Sequence, residues 1–115
     1  MLFRSRGLGY KRALQAILEG RKIPATEAVE LGLANAVHPD DDLAAETTAL
    51  ATRIAAGPPL ATAAAKRLLR SMDGMSYADA IGAEATEQTA LAAAADTREG
   101  VAAFFEKRKP NFTGT

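Results

Sequence analysis

The residues with the most chemical potential lie near the C-terminus, where Phe104, Phe105, Lys107, Arg108, Lys109 and Phe112 combine aromatic faces with cations. That combination suits a ligand carrying a nucleobase and phosphates. The base stacks on a ring, and phosphate oxygens meet ammonium or guanidinium groups. The same residues also have a purely structural use. Cations at a helix C-terminus complement its dipole, and phenylalanines fill cores. On the residues alone both readings stay open.

A second candidate is Glu84 with Glu87, one helical turn apart as an acid–base pair can be. Glu87 falls off the apolar stripe of its helix and is expected to face solvent, which weakens the pair. Glu84 and Gln88 instead lie on the stripe Tyr77, Ile81, Glu84, Gln88, Leu91, Ala95. Either they are buried polar groups that need hydrogen-bonding partners, some from another subunit, or this turn of the stripe is exposed. His38 precedes Pro39 in an expected loop and reads as a surface residue.

Other chemistries have no support. There is no G-x-x-x-x-G-K-S/T phosphate loop and no G-x-S-x-G elbow, and Gly7-Leu8-Gly9 is a lone G-x-G with no strand before it. With no cysteine and one histidine, disulfides, thiolate metal sites and a histidine-rich metal site within one chain are excluded. The serines Ser5, Ser71 and Ser76 share that single histidine and form no recognisable triad.

The elements that must position these residues read as helices. Alanine, the best helix former, is abundant. Tyr10, Leu14, Ile17 and Leu18 recur at helical spacing, with Gly20 as the stop. Pro24 opens a short second helix that Gly32 closes, and Leu33 to Val37 is an extended strand or a link. Asp40, Asp41 and Asp42 supply negative charge at the start of a third helix, whose face carries Leu43, Thr47, Leu50 and Ile54. Gly57-Pro58-Pro59 breaks the chain before a fourth helix over about residues 59–72, bearing Leu60, Ala64, Leu68 and Met72. Asp73-Gly74 turns, Ser76 with Asp79 caps a fifth helix, and Asp96 with Glu99 forms a D-x-x-E capping pattern for a sixth. Val101, Phe104 and Phe105 are on that last helix, which Pro110 stops. The expected fold is mainly α, with about six helices and at most one short strand.

The 115 residues suit one domain or part of a larger one, with no internal repeat. The 14 cations and 14 anions balance, although residues 1–22 hold six cations against Glu19 alone. Such neutrality argues against nucleic-acid binding through Arg4, Arg6, Lys11 and Arg12. No apolar run approaches the ~20 residues that span a bilayer, and no secretory signal is recognisable at the N-terminus. The expectation is a cytoplasmic protein with no nucleic-acid or membrane partner.

The stretch from Asp96 to Phe112 closely resembles the terminal signature of the enoyl-CoA hydratase (crotonase) family, D-x-x-E-G-x-x-A-F-x-E-K-R-x-P-x-F. Upstream, Arg6-Gly7-Leu8-Gly9 with Ala13 and Gly20-Arg21 resembles R-x-x-G…A…G-R. Ala25, Glu27, Ala28, Gly32 and Leu33 resemble A-x-E-A-x-x-x-G-L-V, with Ala34 in place of the usual valine, and Pro58 to Lys66 resembles P-x-A-x-x-x-x-K. Each motif is short; their order and spacing are specific.

The resemblance implies the helical C-terminal region of a crotonase-type fold. Residues 1–38 would be the end of the family's spiral core, and 39–115 the helical region through which subunits pack as trimers. The family polarises an acyl-CoA thioester with two backbone N–H groups, and its hydratases use two glutamates as acid and base. No residue here matches those positions. The resemblance is thus to a hydratase/isomerase without its catalytic half, needing no cofactor and taking a coenzyme A thioester as substrate. The family's terminal helix reaches the coenzyme A of an adjacent subunit. By that resemblance Phe104 would lie near the adenine and Lys107 near phosphate, one turn apart on the same side of the helix. A non-catalytic helical oligomerisation module is the alternative. Self-association, an N-terminal catalytic half and acyl-CoA are the implied partners.

Overall fold

A computed structural model describes residues 7–115. Among the described residues six helices run in order, α1 (Tyr10–Leu18), α2 (Ala25–Glu30), α3 (Asp40–Ala55), α4 (Pro59–Ser71), α5 (Tyr77–Ala92) and α6 (Ala95–Glu106). No strand occurs among the described residues, so Leu33 to Val37 is a link. Of the cationic N-terminal residues, Arg4 and Arg6 lie outside the described part.

The helix ends follow the local chemistry of the sequence. At the end of α1 the Gly20 N–H donates to the Ile17 carbonyl and the Arg21 N–H to that of Ala16, with Gly20 at φ 59°. At the end of α2 the Gly32 N–H donates to Val29 and the Leu33 N–H to Ala28, with Gly32 at φ 71°. Both are Schellman closures, in which a left-handed residue lets two further N–H groups satisfy the last carbonyls. Pro24 stands just before the first turn of α2, in extended conformation, rather than inside it. Asp40, Asp41 and Asp42 occupy the first turn of α3, and Pro59 is at the start of α4, where no N–H is needed. Ser76 caps α5: the Asp79 N–H donates to its Oγ at 3.2 Å, and that hydroxyl donates to the Asp79 carboxylate at 2.7 Å.

The chain divides into two compact units, up to Thr48 and from Ala49 to Thr115, and the boundary falls inside α3. In the first unit Leu8 and Ala13 are buried, and an ion pair joins Arg21, just beyond α1, to Glu27 of α2. One arm of this pair is the Arg21 Nη1 to Glu27 Oε2 bond at 2.9 Å. The hydrogen bond from Arg21 holds the Glu27 carboxyl below its usual range. In the second unit α4 packs on α5 and α5 on α6, around Ala64 and Ala103.

Alanines occupy most of these interiors, with Leu8 the larger buried side chain, and among the described residues no large side chain is fully buried. Leu14, Ile17, Leu18, Leu50, Ile54, Val101 and Phe104 are all exposed. A helix bundle ordinarily hides such a stripe against a neighbour.

Candidate functional site

The site is built on α6 and the segment after it. Asp96 and Glu99 do not cap the helix as the D-x-x-E pattern predicts. Ala94 is the residue before the first turn, with no side-chain cap, and both carboxylates reach instead to the C-terminal tail. Asp96 is only 4% exposed and accepts from the Thr113 N–H at 2.7 Å, the Gly114 N–H at 2.9 Å and the Thr113 hydroxyl at 3.4 Å. The Asp96 N–H itself donates to the Thr115 carbonyl at 3.1 Å. Glu99 accepts both arms of the Arg108 guanidinium, at 2.6 and 2.9 Å, and the Asn111 N–H at 2.7 Å. The tail is thereby folded back along α6. These contacts hold the Glu99 carboxyl at about 2, first through Arg108 and then through the Asn111 N–H.

The aromatic and cationic cluster of the sequence separates into groups with different tasks. The Phe112 ring lies over Gly100, where a Cβ would meet it at 3.5 Å. Arg108 is committed to Glu99 and, through Nε at 2.6 Å, to Glu106. Phe104 and Phe105 point outward, 78% and 77% exposed, as an edge-to-face pair with centroids 5.6 Å apart. Phe104 is therefore no core residue. Lys107 is exposed and makes no ion pair among the described residues.

Lys107 also departs from the expectation of a shared helix side with Phe104. The helix stops at Glu106, and Lys107 adopts the left-handed conformation, φ 54° and ψ 36°. Its N–H donates to Phe104 and the Arg108 N–H to Ala103, the same closure as in α1 and α2, but with lysine where those helices place glycine. Lys107 thus follows the aromatic pair at a left-handed turn of the backbone and does not continue the regular helix.

Next to this pair runs an apolar groove of about 390 Å³, lined by Leu60, Leu91, Val101, Phe104, Phe105 and Phe112 among others. It can receive a flat apolar group, with the Phe104 and Phe105 rings on its wall.

Of the α5 carboxylates, Glu84 takes one of its two expected alternatives and Glu87 departs from the sequence reading. Glu84 and Gln88 are exposed, so the stripe is open in this turn. Glu87, expected in solvent, is half-buried and takes both arms of Arg67 from α4, at 3.0 and 2.7 Å. That pairing holds the Glu87 carboxyl below its usual range. It ties two helices together and leaves Glu87 unsuited to proton transfer. His38 is half-buried in the link before α3. No group of three or more His, Cys, Asp or Glu side chains that can hold a metal occurs among the described residues. No helix among them is long and apolar enough to cross a membrane.

Sequence reasoning missed the tail clamp. Its signal was the acidic pair itself, combined with Arg108 and a chain reversal after Lys107, but the same acidic pair also spells a helix cap.

Comparison with known proteins gives this arrangement a context. The family model for enoyl-CoA hydratase/isomerase matches residues 1–115. The 2,3-dehydroadipyl-CoA hydratase of Escherichia coli is 36% identical over 109 residues, covering 95% of this chain and 43% of that protein. The crystal structure of an enoyl-CoA hydratase from Bacillus anthracis superposes with a TM-score of 0.93 at 31% identity, over 97% of this chain and 43% of that one. An enoyl-CoA hydratase structure from Mycobacterium tuberculosis gives 0.89 at 33% identity, over 96% and 44%. The chain thus spans about two fifths of the length of the relatives it matches. It belongs to the enoyl-CoA hydratase/isomerase family.

Proposed function

We propose that this chain is the helical assembly and coenzyme A-contacting portion of an acyl-CoA hydratase or isomerase. The observation that carries the reading is the outward Phe104–Phe105 pair beside Lys107 at a left-handed turn. An adenine stacks on an exposed ring, and a phosphate meets an ammonium that no carboxylate among the described residues neutralises. Phe104 and Lys107 are the contact residues in this reading, and coenzyme A thioesters are the substrate, with no further cofactor.

In this reading the acid–base chemistry and the oxyanion hole are supplied by residues outside these 115, and the chain alone does not turn over substrate. Residues 1–38 close the catalytic spiral and 39–115 form the assembly region. The protein works in the cytoplasm on acyl-CoA. Exposed Leu14, Ile17, Leu18, Leu50 and Ile54 support association with further copies or with a catalytic half. The alternative of a purely structural oligomerisation module shares these faces and leaves Lys107 only to complement the helix dipole.

Two measurements test the reading together. Crotonoyl-CoA incubated with the pure chain is expected to stay at the buffer rate, whereas light scattering is expected to report an oligomer. Turnover clearly above the blank, or a well-folded monomer at high concentration, contradicts the corresponding half of the proposal.

A further inference from the structure

The tail beyond α6 is held by two carboxylates one turn apart, and Lys107 sits at the point where the chain reverses. On one side of it the helix is fixed by its own hydrogen bonds. On the other, Arg108 is forked onto Glu99, Asn111 donates to the same carboxylate, and Thr113 and Gly114 donate to Asp96. An L-residue resists the left-handed conformation, and α1 and α2 avoid that resistance by using Gly20 and Gly32. At Lys107 the conformation must be imposed from outside, and strained residues persist where their surroundings over-determine them. The contacts that over-determine this one are those of Asp96 and Glu99.

A second feature gives the device a direction. Of the three consecutive cations, Arg108 is consumed by Glu99 and Glu106. Its pairing turns the guanidinium back along the helix, while Lys107, next in the chain after Phe105 and Glu106, makes no ion pair among the described residues. The geometry points to Asp96 and Glu99 as positioning residues: by pinning the tail they hold Lys107 in its left-handed turn and aim its ammonium at the phosphate of the coenzyme that the aromatic pair receives. This rests on the coenzyme-contact reading above and names what fixes that contact.

Two readouts on the full chain test the inference. The first is the backbone conformation of Lys107 by NMR chemical shifts and the N–H to Hα coupling. The second is coenzyme A titration, alone and with a catalytic half present. Glu99→Gln is expected to release Lys107 from the left-handed region and to weaken coenzyme A about fivefold, the scale of one exposed charge contact. In a Lys107→Ala background the same change should cost nothing further, since the carboxylate acts through Lys107. Arg108→Lys keeps the charge but loses the fork, and serves the same test if Glu99→Gln does not fold. If Lys107→Ala weakens binding but neither Glu99→Gln nor Arg108→Lys does, the positioning role is wrong and the contact reading stands. If Lys107→Ala leaves binding unchanged, or coenzyme A binds in neither setting, both fall.

Discussion

Replacing Lys107 by glycine separates the cost of its backbone from the use of its side chain. At φ 54° and ψ 36° the residue lies in the left-handed well, which costs an L-residue roughly 1–2 kcal/mol relative to glycine. Glycine returns part of that through its larger unfolded-state freedom, roughly 0.4–1 kcal/mol. The Lys107 and Arg108 N–H bonds that close the helix are made by backbone atoms and survive the change. Lys107 makes no ion pair among the described residues, so removing its side chain forfeits little. The net expectation is a gain of roughly 0.5–1 kcal/mol, or roughly 2–6 °C in Tm for a domain of this size. A circular-dichroism melt of Lys107→Gly against the parent chain reads it directly. Coenzyme A affinity should move the opposite way, falling about fivefold as one charge contact is lost. A lower Tm for Lys107→Gly refutes the strain argument. A higher Tm with unchanged affinity refutes the side chain's ligand role.

Glu99, held at about 2 from an ordinary 4.5, makes the tail acid-sensitive. Because its folded value is depressed, its contribution is complete above about pH 4.5 and is lost as pH falls toward about 2; the protection of the Asn111 amide, relative to its intrinsic exchange rate, should fall across that window, and Glu99→Gln should abolish the dependence. Gly82 lies inside α5 with open space around a prospective Cβ, so Gly82→Ala should stabilise by roughly 1 kcal/mol in a denaturant titration. Phe104→Ala should shift Tm by less than a core truncation, which costs roughly 3–5 kcal/mol, because the ring is 78% exposed, while weakening coenzyme A or the oligomer.

Much of the architecture was legible in local signals. Glycines after Leu18 and Leu31, prolines at 24 and 59, the aspartates from 40 to 42 and Ser76 with Asp79 each act within one turn, so their types alone place the helices. Sequence patterns were least reliable where a residue's partner lies far along the chain. Asp96 and Glu99 fit a cap motif, but their partners are 9 to 18 residues away. Glu87 reads as a surface residue until α4 brings Arg67 to it, 20 positions distant. Periodicity groups apolar residues onto one side of a helix but cannot say whether that side meets this chain or another. At the candidate site the residue types were visible, whereas the division of labour between Arg108 and Lys107 was not. It depends on which cation Glu99 captures, and on a left-handed lysine that no periodic pattern announces.

The central claim, that the end of α6 meets coenzyme A, is tested most directly by calorimetric titration of Lys107→Ala across a range of ionic strength, in the chain assembled with a catalytic half. Binding weaker than the parent's at low salt and a shallower salt dependence are expected, with the fold unchanged. Identical affinity of parent and variant at every ionic strength contradicts it and leaves α6 a structural element.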